Sequence, residues 1–147
     1  MPIIEPTAIH FTVPTLPVAQ PRQRTRVAGK KAINYTPQDA PVNAYKAALQ
    51  QAATEAFSEA PLDCPLLLVV DFVLPRKKTL MWKKKPMPRM RHTIKPDIDN
   101  LLKSTKDALS GLLYRDDAQV CSVQATTWIA SGDEQPHVEI RICELDV

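Results

Sequence analysis

The sequence predicts one mixed α/β (α+β) domain, in which a small mixed β-sheet carries two main helices in the order β-α-β-α-β-β. Three observations support this fold class. A length of 147 residues suits a single domain. Two segments repeat apolar residues near the helical period, and four others have the alternating or continuous apolar patterns of strands. No internal repeat and no long linker divides the chain, so we expect one domain over residues 1–147.

The first half of the chain predicts a strand and a helix joined by a long connection. Residues 1–7 are expected to form a short tail, and Ala8–Val13 alternates as a strand. Residues 14–40 are basic and interrupted by prolines, which predicts a surface loop. A helix from about Val42 to Phe57 follows, because its alanines favour helix and Pro41 suits a first helical turn.

The second half predicts a buried strand, a second helix and two final strands. Leu66–Leu74 is a continuous apolar run, typical of a strand buried on both faces. Residues 75–95 are expected to form a second basic loop, followed by a helix from about Ile98 to Leu113. Alternation then resumes in 118–130 and in His137–Glu144, which predicts a hairpin at the C-terminus.

Composition excludes several classes of protein. No run of 18 apolar residues is present, so no membrane span is expected, and the N-terminus lacks the pattern of a secretory signal. Cys64, Cys121 and Cys143 are odd in number and widely spaced, which matches neither a disulfide framework nor a zinc site. We interpret them as small buried strand residues in a reducing compartment, and we expect a cytoplasmic protein.

The net charge of +3 conceals two strongly basic segments. Residues 21–31 contain five Lys/Arg and residues 75–95 contain nine, and neither segment contains an acid. The rest of the chain has 5 basic against 16 acidic residues, a net charge of −11. Such a separation of charge predicts contact surfaces for a polyanion, although a basic run is also compatible with a simple solvated loop. The candidate DNA-binding residues are Arg22, Arg24, Arg26, Lys30, Lys31, Arg76, Lys77, Lys78, Lys83, Lys84, Lys85, Arg89, Arg91 and Lys95. Trp82 lies among these cations, either to stack on an unpaired base or to pack on its own domain.

The segment Lys95–Val120, KPDIDNLLKSTKDALSGLLYRDDAQV, contains the candidate chemistry. Asp97 and Asp99 lie where an extended segment becomes a helix, so their side chains can still converge on one point. Carboxylate oxygens there suit Mg²⁺, which takes one or two carboxylates and leaves other positions to water and substrate phosphate. Lys103 follows one helical turn after Asp99, where it could contact a phosphate or a leaving oxyanion. A metal held this way would polarise a phosphodiester and lower the pKa of a bound water.

Each of these residues also has a structural interpretation. Asp is a favoured helix N-cap, so Asp97 or Asp99 could cap the helix, and Lys103 could pair with Asp99 or Asp107. Asp116 and Asp117 could be turn residues. Asp71, alone in an apolar strand, is left unassigned.

The pattern KPDIDNLLK, then DAL, then YRDDAQV resembles the RusA family of Holliday-junction resolvases, which are common in phages and prophages. The motif match covers about 26 residues, Lys95–Val120, and a weaker collinear likeness covers most of 8–145. The resemblance implies a homodimeric endodeoxyribonuclease that cuts four-way junctions symmetrically in recombination and repair with Mg²⁺ or Mn²⁺. It assigns catalysis to Asp97, Asp99, Lys103 and Asp117, and the metal to the three aspartates, with Asp116 as an adjacent helper.

Two other hypotheses compete with a metal-dependent, structure-selective nuclease. The first is a non-catalytic DNA-binding module that uses the two basic segments, and it predicts binding without metal-dependent nicking. The second is a metal-dependent hydrolase of smaller phosphate esters, which the extent of the basic surface disfavours. The carboxylates separate the nuclease from the binding module, because a pure DNA binder has no reason to place acids beside its basic surface.

Overall fold

The structure is a computed structural model that describes residues 7–21, 24–35 and 40–147. Along these residues the elements are β1 Thr7–Val13, β2 Arg24–Ala28, β3 Lys31–Tyr35, α1 Pro41–Ala56, β4 Leu66–Leu74, β5 Met90–Arg91, α2 Ile98–Leu109, β6 Val120–Ile129 and β7 His137–Glu144. The main sheet has five strands in the order β1-β7-β4-β6-β5. The predicted mixed α/β (α+β) domain with two helices is confirmed.

The apolar strand β4 lies at the centre of the sheet. It pairs parallel with β6 on one side and antiparallel with β7 on the other, so its backbone is bonded along both edges. A strand that is apolar on both faces apart from Asp71 can be buried in this way, whereas the alternating strands β6 and β7 suit positions nearer the sheet edge. Alternate residues of β4, such as Leu68, Val70 and Phe72, enter the core.

Both helices contribute to that core. Helix α1 buries Tyr45 and Leu49 at helical spacing, and α2 buries Leu101 and Thr105. Full burial of one leucine stabilises the fold by roughly 1.5–3 kcal/mol. Tyr45 Oη and Thr105 Oγ1 are 2.8 Å apart and join the helices, and burial raises the pKa of the tyrosine well above its ordinary value. Within the described residues, no helix is long and apolar enough to cross a membrane.

The predicted hairpin at the C-terminus is wrong. β6 and β7 are neighbours in sequence, but β4 lies between them and bonds to both. Alternating patterns predict strands but not their partners. The strand β4, apolar at every position except Asp71, gains more from a central position than from an edge, so it separates the two strands that follow it.

The predicted loop over residues 14–40 also needs correction, because it contains a second, two-stranded sheet. β2 and β3 pair antiparallel across a turn at Gly29 and Lys30, and Gly29 adopts the left-handed backbone (φ +65°) that such turns require. Prolines and charges obscured a short hairpin whose strand residues include β-branched Val27 and Ile33. In the second predicted loop, 75–95, the chain forms a single 3-10 turn at Lys78–Leu80 and then the short edge strand β5.

Helix α2 ends at Leu109, four residues before the predicted end. Ser110 is extended and Gly111 has φ +85°, and the Gly111 N–H donates to the Tyr114 carbonyl at 2.7 Å. A left-handed glycine directly after the last helical turn is a common helix stop. The leucines that follow continue the apolar pattern, but they do so in a turn.

Candidate active site

Asp97 and Asp99 lie at the N-terminal end of α2 with their carboxylates unused by the fold. Asp97 occupies the N-cap position, but its side chain makes no capping hydrogen bond. Asp99 lies in the first turn, and both side chains are exposed. Within the described residues, neither carboxylate takes part in an ion pair. The structure therefore gives no support to the alternative in which one of them serves as a helix cap.

An open cleft of about 600 Å³ brings the two aspartates together with a lysine. It is lined by the segment from His92 to Asp99 and by Thr127 of β6. The His92 N–H donates to the Thr127 carbonyl at 3.3 Å, and Thr127 Oγ1 donates back to the His92 carbonyl at 3.2 Å. These bonds fix the segment on the sheet, so Asp97, Asp99 and Lys95 face one cleft from a rigid support.

Lys103 lies one turn beyond Asp99 on α2 and is exposed. Within the described residues it forms no salt bridge, either with Asp99 or with Asp107. The alternative of a simple helix-surface ion pair is therefore not observed, and the ammonium group is available to a phosphate.

Asp116 and Gln119 organise the turn that leads into β6. They form a capping box, in which the Asp116 carboxylate accepts the Gln119 N–H and the Gln119 amide oxygen accepts the Asp116 N–H at 2.9 Å. The Gln119 amide also donates to the carbonyls of Leu62 (2.9 Å) and Cys64 (3.2 Å). Asp116 thus has the turn role considered for it above, and Gln119 of the DDAQV motif holds that turn against the chain before β4.

Asp117 comes just before β6, at the end of that strand opposite to Thr127 and the cleft. The Tyr114 hydroxyl donates to the Lys106 carbonyl at 2.8 Å. Burial raises the pKa of Tyr114 most, and the nearby charges of Asp117 and Asp107 raise it further. Roughly 14 Å of helix axis separates Asp97 from Lys106 at about 1.5 Å per residue. Accordingly, no three His, Cys, Asp or Glu side chains in the described part of the chain lie close enough together to hold a metal ion.

Two comparisons place these residues among known proteins. The family model of the endodeoxyribonuclease RusA matches residues 14–143, which include both basic segments and the whole Lys95–Val120 motif. The chain belongs to the RusA family. It is also 32% identical over 142 residues to the uncharacterized protein YqaN of Bacillus subtilis (strain 168), covering 93% of this chain and 96% of that protein. Membership in the RusA family implies endodeoxyribonuclease activity on Holliday junctions.

The cleft of this RusA-family chain has the donor chemistry for a divalent metal, on which nucleases of the family generally depend. Asp97 and Asp99 supply hard, exposed carboxylate oxygens that no capping bond or salt bridge within the described residues uses. Two carboxylates together with water and phosphate match the ligand set that Mg²⁺ prefers. The residues present therefore fit such an ion, with substrate and water completing its shell.

The first basic segment begins next to this cleft. The Gln20 N–H donates to the Asn100 carbonyl at 3.0 Å, and Ser104 Oγ donates to the Val18 carbonyl at 2.7 Å. The chain is therefore tied to α2 immediately before the segment starts, and the β2–β3 hairpin then presents exposed Lys30 and Lys31. Arg22 lies outside the described residues, and for Arg24 and Arg26 only the backbone in β2 is described.

In the second basic segment, two arginines support the fold and the other cations are exposed. The Arg76 guanidinium donates to the carbonyls of Leu80 (2.7 Å), Pro88 (2.9 Å) and Ala130 (3.3 Å). Arg89 forms a bidentate bond with Glu134. The exposed cations are Lys77, Lys78, Lys83, Lys84, Lys85, Arg91 and Lys95. A DNA-binding surface of the RusA type would here consist mainly of exposed lysines, on a segment whose backbone is held in place by Arg76 and Arg89.

The two tryptophans are both held by cations. Trp82 lies between Arg76, at 4.7 Å from the ring centre, and Lys85, at 4.2 Å. Trp128 packs under Arg91 at 4.3 Å, and its indole N–H donates to Asp71 at 3.0 Å. Trp82 therefore packs on its own segment, the second of the alternatives given above. Asp71 alternates with the core residues of β4 and lies on the opposite face of the sheet, away from the cleft.

His92 lines the cleft, although no motif in the sequence predicted it there. It is half-buried, and burial lowers its pKa, as does the positive charge of Lys77, while a hydrogen bond to the Lys95 backbone acts against this. Its position inside a basic run was the only signal in the sequence. The strand pairing that brings it to Thr127 could not be predicted locally.

Proposed function

We propose that this RusA-family chain is a Mg²⁺-dependent, structure-selective endonuclease that resolves four-way DNA junctions by paired nicks, in recombination and repair. One observation carries the proposal. Two exposed carboxylates, with no capping bond or salt bridge among the described residues, share a cleft with Lys95, next to the points where both basic segments meet α2. A polyanion bound along those segments would pass its backbone over the carboxylates.

Each residue has a distinct role in the proposed reaction. Asp97 and Asp99 would hold Mg²⁺, or Mn²⁺ in its place, through their carboxylate oxygens. The ion supplies polarisation of the phosphodiester and a water of lowered pKa. Lys103 and Lys95 would neutralise the phosphate and the leaving oxyanion, because both ammonium groups are exposed near the N-terminal end of α2. The exposed lysines of residues 75–95 would hold the neighbouring phosphates.

The proposal includes a homodimer, since two symmetric nicks need two sites related by a twofold axis. β6 offers an edge for it. β5 pairs only with Trp128 and Ile129, so in the described structure residues 120–126 have no strand partner on that side. A second copy that paired antiparallel along this edge would bring its Asp117, before β6, towards Thr127 and the cleft. Asp117 would then join Asp97 and Asp99 across the interface.

The test is cleavage of a labelled synthetic four-way junction, with linear duplex as the control, with and without Mg²⁺. Paired symmetric nicks that need the metal and spare the duplex are the expected result. Tight junction binding with no cleavage in Mg²⁺ or Mn²⁺ would instead favour the non-catalytic DNA-binding module. The separation of Asp117 from the other aspartates within one chain is the observation that keeps that second candidate worth testing.

A further inference from the structure

A second cavity adjoins the carboxylate cleft. Its volume is about 450 Å³, which lies within the range of roughly 300–1,000 Å³ typical of small-molecule sites. Buried Leu74 and half-buried Leu80 and Ile129 give it an apolar lining. It lies between the C-terminal end of β4, the 3-10 turn and the segment that precedes α2.

The two cavities share one wall. The segment His92–Pro96 lines both, with the second cavity on one side and Asp97 and Asp99 on the other. Exposed Lys77 and Lys95 border the apolar cavity. A ligand held in it would therefore be the immediate neighbour of a group held at the carboxylates, within reach of two cations.

We propose that this cavity receives one unpaired nucleobase of the DNA strand whose phosphate lies at Asp97 and Asp99. This inference rests on the proposed function. A nucleobase joins a flat apolar surface to a flanking phosphate, which matches an apolar cavity bordered by lysines. A base that stays paired and stacked inside a duplex cannot enter a cavity recessed in the protein surface, whereas a base at a strand-exchange point can leave the stack at a lower cost than one in continuous duplex. The cavity would then influence which phosphate is cut.

The experiment uses the full chain and junctions that carry 2-aminopurine, one position at a time, on either side of the exchange point. Thr79 is exposed and lines the cavity, so Thr79→Trp fills it without disturbing the core. Met81→Trp is the matched control, because Met81 is 47% exposed and does not line the cavity. Fluorescence is measured without metal, so that it reports binding alone, and cut positions are then mapped with Mg²⁺.

With the wild type, the fluorescence of 2-aminopurine at one position should increase as that base leaves the stack. The Met81→Trp variant should give the same increase. Thr79→Trp should abolish the change and lower the preference among cut positions by about tenfold, the value of one stacked base. Ile94→Asp, at a 54% exposed cavity residue, provides a second variant if Thr79→Trp does not fold. An unchanged signal and unchanged cut positions in both variants would overturn the inference. A fluorescence change that Thr79→Trp abolishes, in the absence of any cleavage, would contradict the proposed nuclease function but still support a binding site for a base.

Discussion

At the scale of single residues, Asp97 offers the most direct test of the chemistry. Asp97→Asn keeps the size of the side chain but removes the charge of a proposed metal ligand, so cleavage should fall by about 10³-fold, equivalent to several kcal/mol of transition-state stabilisation. Junction binding should survive or strengthen, because a carboxylate no longer repels the phosphates. Gel-shift and cleavage assays on one junction separate the two effects. Asp146→Asn, at an exposed position near the C-terminus, is the matched control, and equal loss of binding and cleavage would contradict the assigned role.

Glu134 makes a prediction about pH. The hydrogen bonds from Arg89 are the largest influence that lowers the pKa of Glu134 from its ordinary value of 4.5 to about 2. A folded-state pKa below the unfolded value stabilises the protein above about pH 4.5, and this contribution disappears as the pH falls towards 2. Glu134→Gln should therefore cost about 1 kcal/mol at neutral pH and nothing at low pH, since the pair is partly exposed.

The measurement is urea unfolding at several pH values for the wild type and Glu134→Gln. Glu59→Gln, at an exposed position outside the described ion pairs, should follow the wild type throughout. A Glu134→Gln deficit that persists unchanged at low pH would show that the ionised carboxylate is not its cause.

At the scale of elements, two left-handed glycines should give different results. Gly111 (φ +85°) and Gly29 (φ +65°) both have open space where a Cβ would lie, so alanine adds backbone strain and no clash. The strain is worth about 1–2 kcal/mol. Gly111→Ala acts where α2 ends in the core domain and should lower the free energy of global unfolding by that amount. Gly29→Ala acts in the separate β2–β3 sheet and should weaken DNA binding more than it lowers the Tm. Equal Tm losses would show that the hairpin unfolds together with the domain.

The second basic segment predicts a salt effect. Replacing Lys83, Lys84 and Lys85 with alanine should weaken junction and duplex binding alike. It should also reduce the slope of log K against log salt by up to about 3, near 0.9 for each phosphate that is no longer neutralised. Arg141→Ala, on an exposed residue of β7 opposite the helix-covered face, is the comparison that should leave the slope unchanged. Loss of selectivity for the junction, without a change in the salt slope, would indicate that these lysines recognise the shape of the junction and do not neutralise phosphates.

Local pattern was sufficient for most elements and insufficient for their arrangement. The alternation of β1 and β7 and the alanine-rich α1 were predicted close to their observed bounds, because their signals lie within the segments themselves. The position of β4 between β6 and β7 depends on which strand gains most from burial. That comparison involves all the strands, so the sequence of one segment cannot predict it. The β2–β3 hairpin was missed because charges and prolines masked its short alternation, and the end of α2 was misplaced because Gly111 interrupts a continuing apolar pattern.

At the scale of the whole molecule, the position of Asp117 predicts complementation between chains. Asp97→Asn and Asp117→Asn should each be inactive alone. If the site forms across a homodimer interface, mixing them and allowing exchange gives heterodimers with one complete site, in which the intact Asp97 of one copy meets the intact Asp117 of the other. Cleavage should return at about a quarter of the wild-type rate, because half the dimers are mixed and each has one site. A mixture that stays inactive would place both aspartates in the same chain's site.

The candidate site shows a similar division between local and long-range information. Asp97, Asp99 and Lys103 lie within seven residues, so helix geometry alone predicts that they are near one another. Asp117 follows after a helix and a tight turn, and its distance from them depends on the direction in which the chain enters β6. The sequence could therefore indicate Asp117 as a candidate, but it could not show that Asp117 lies apart from Asp97 and Asp99 within one chain. The cavity beside His92 depends on three separate elements and had no local signal.

The first part of the connection from β4 to β6 is fixed against the chain that follows β6, and this bears on evolution. The Ala130 N–H donates to the Leu74 carbonyl (2.8 Å), the Gly132 N–H donates to the Met87 carbonyl (2.9 Å), and the Arg76 guanidinium donates to the carbonyls of Pro88 and Ala130. Because a crossover between parallel strands is long anyway, and each doubling of loop length costs only about 0.6 kcal/mol, insertions there are tolerated. Insertions between Arg76 and Met87 should therefore leave in place the hydrogen bonds that hold His92 at Thr127. Divergence in the DNA structures recognised could proceed while the hydrolytic chemistry is inherited intact.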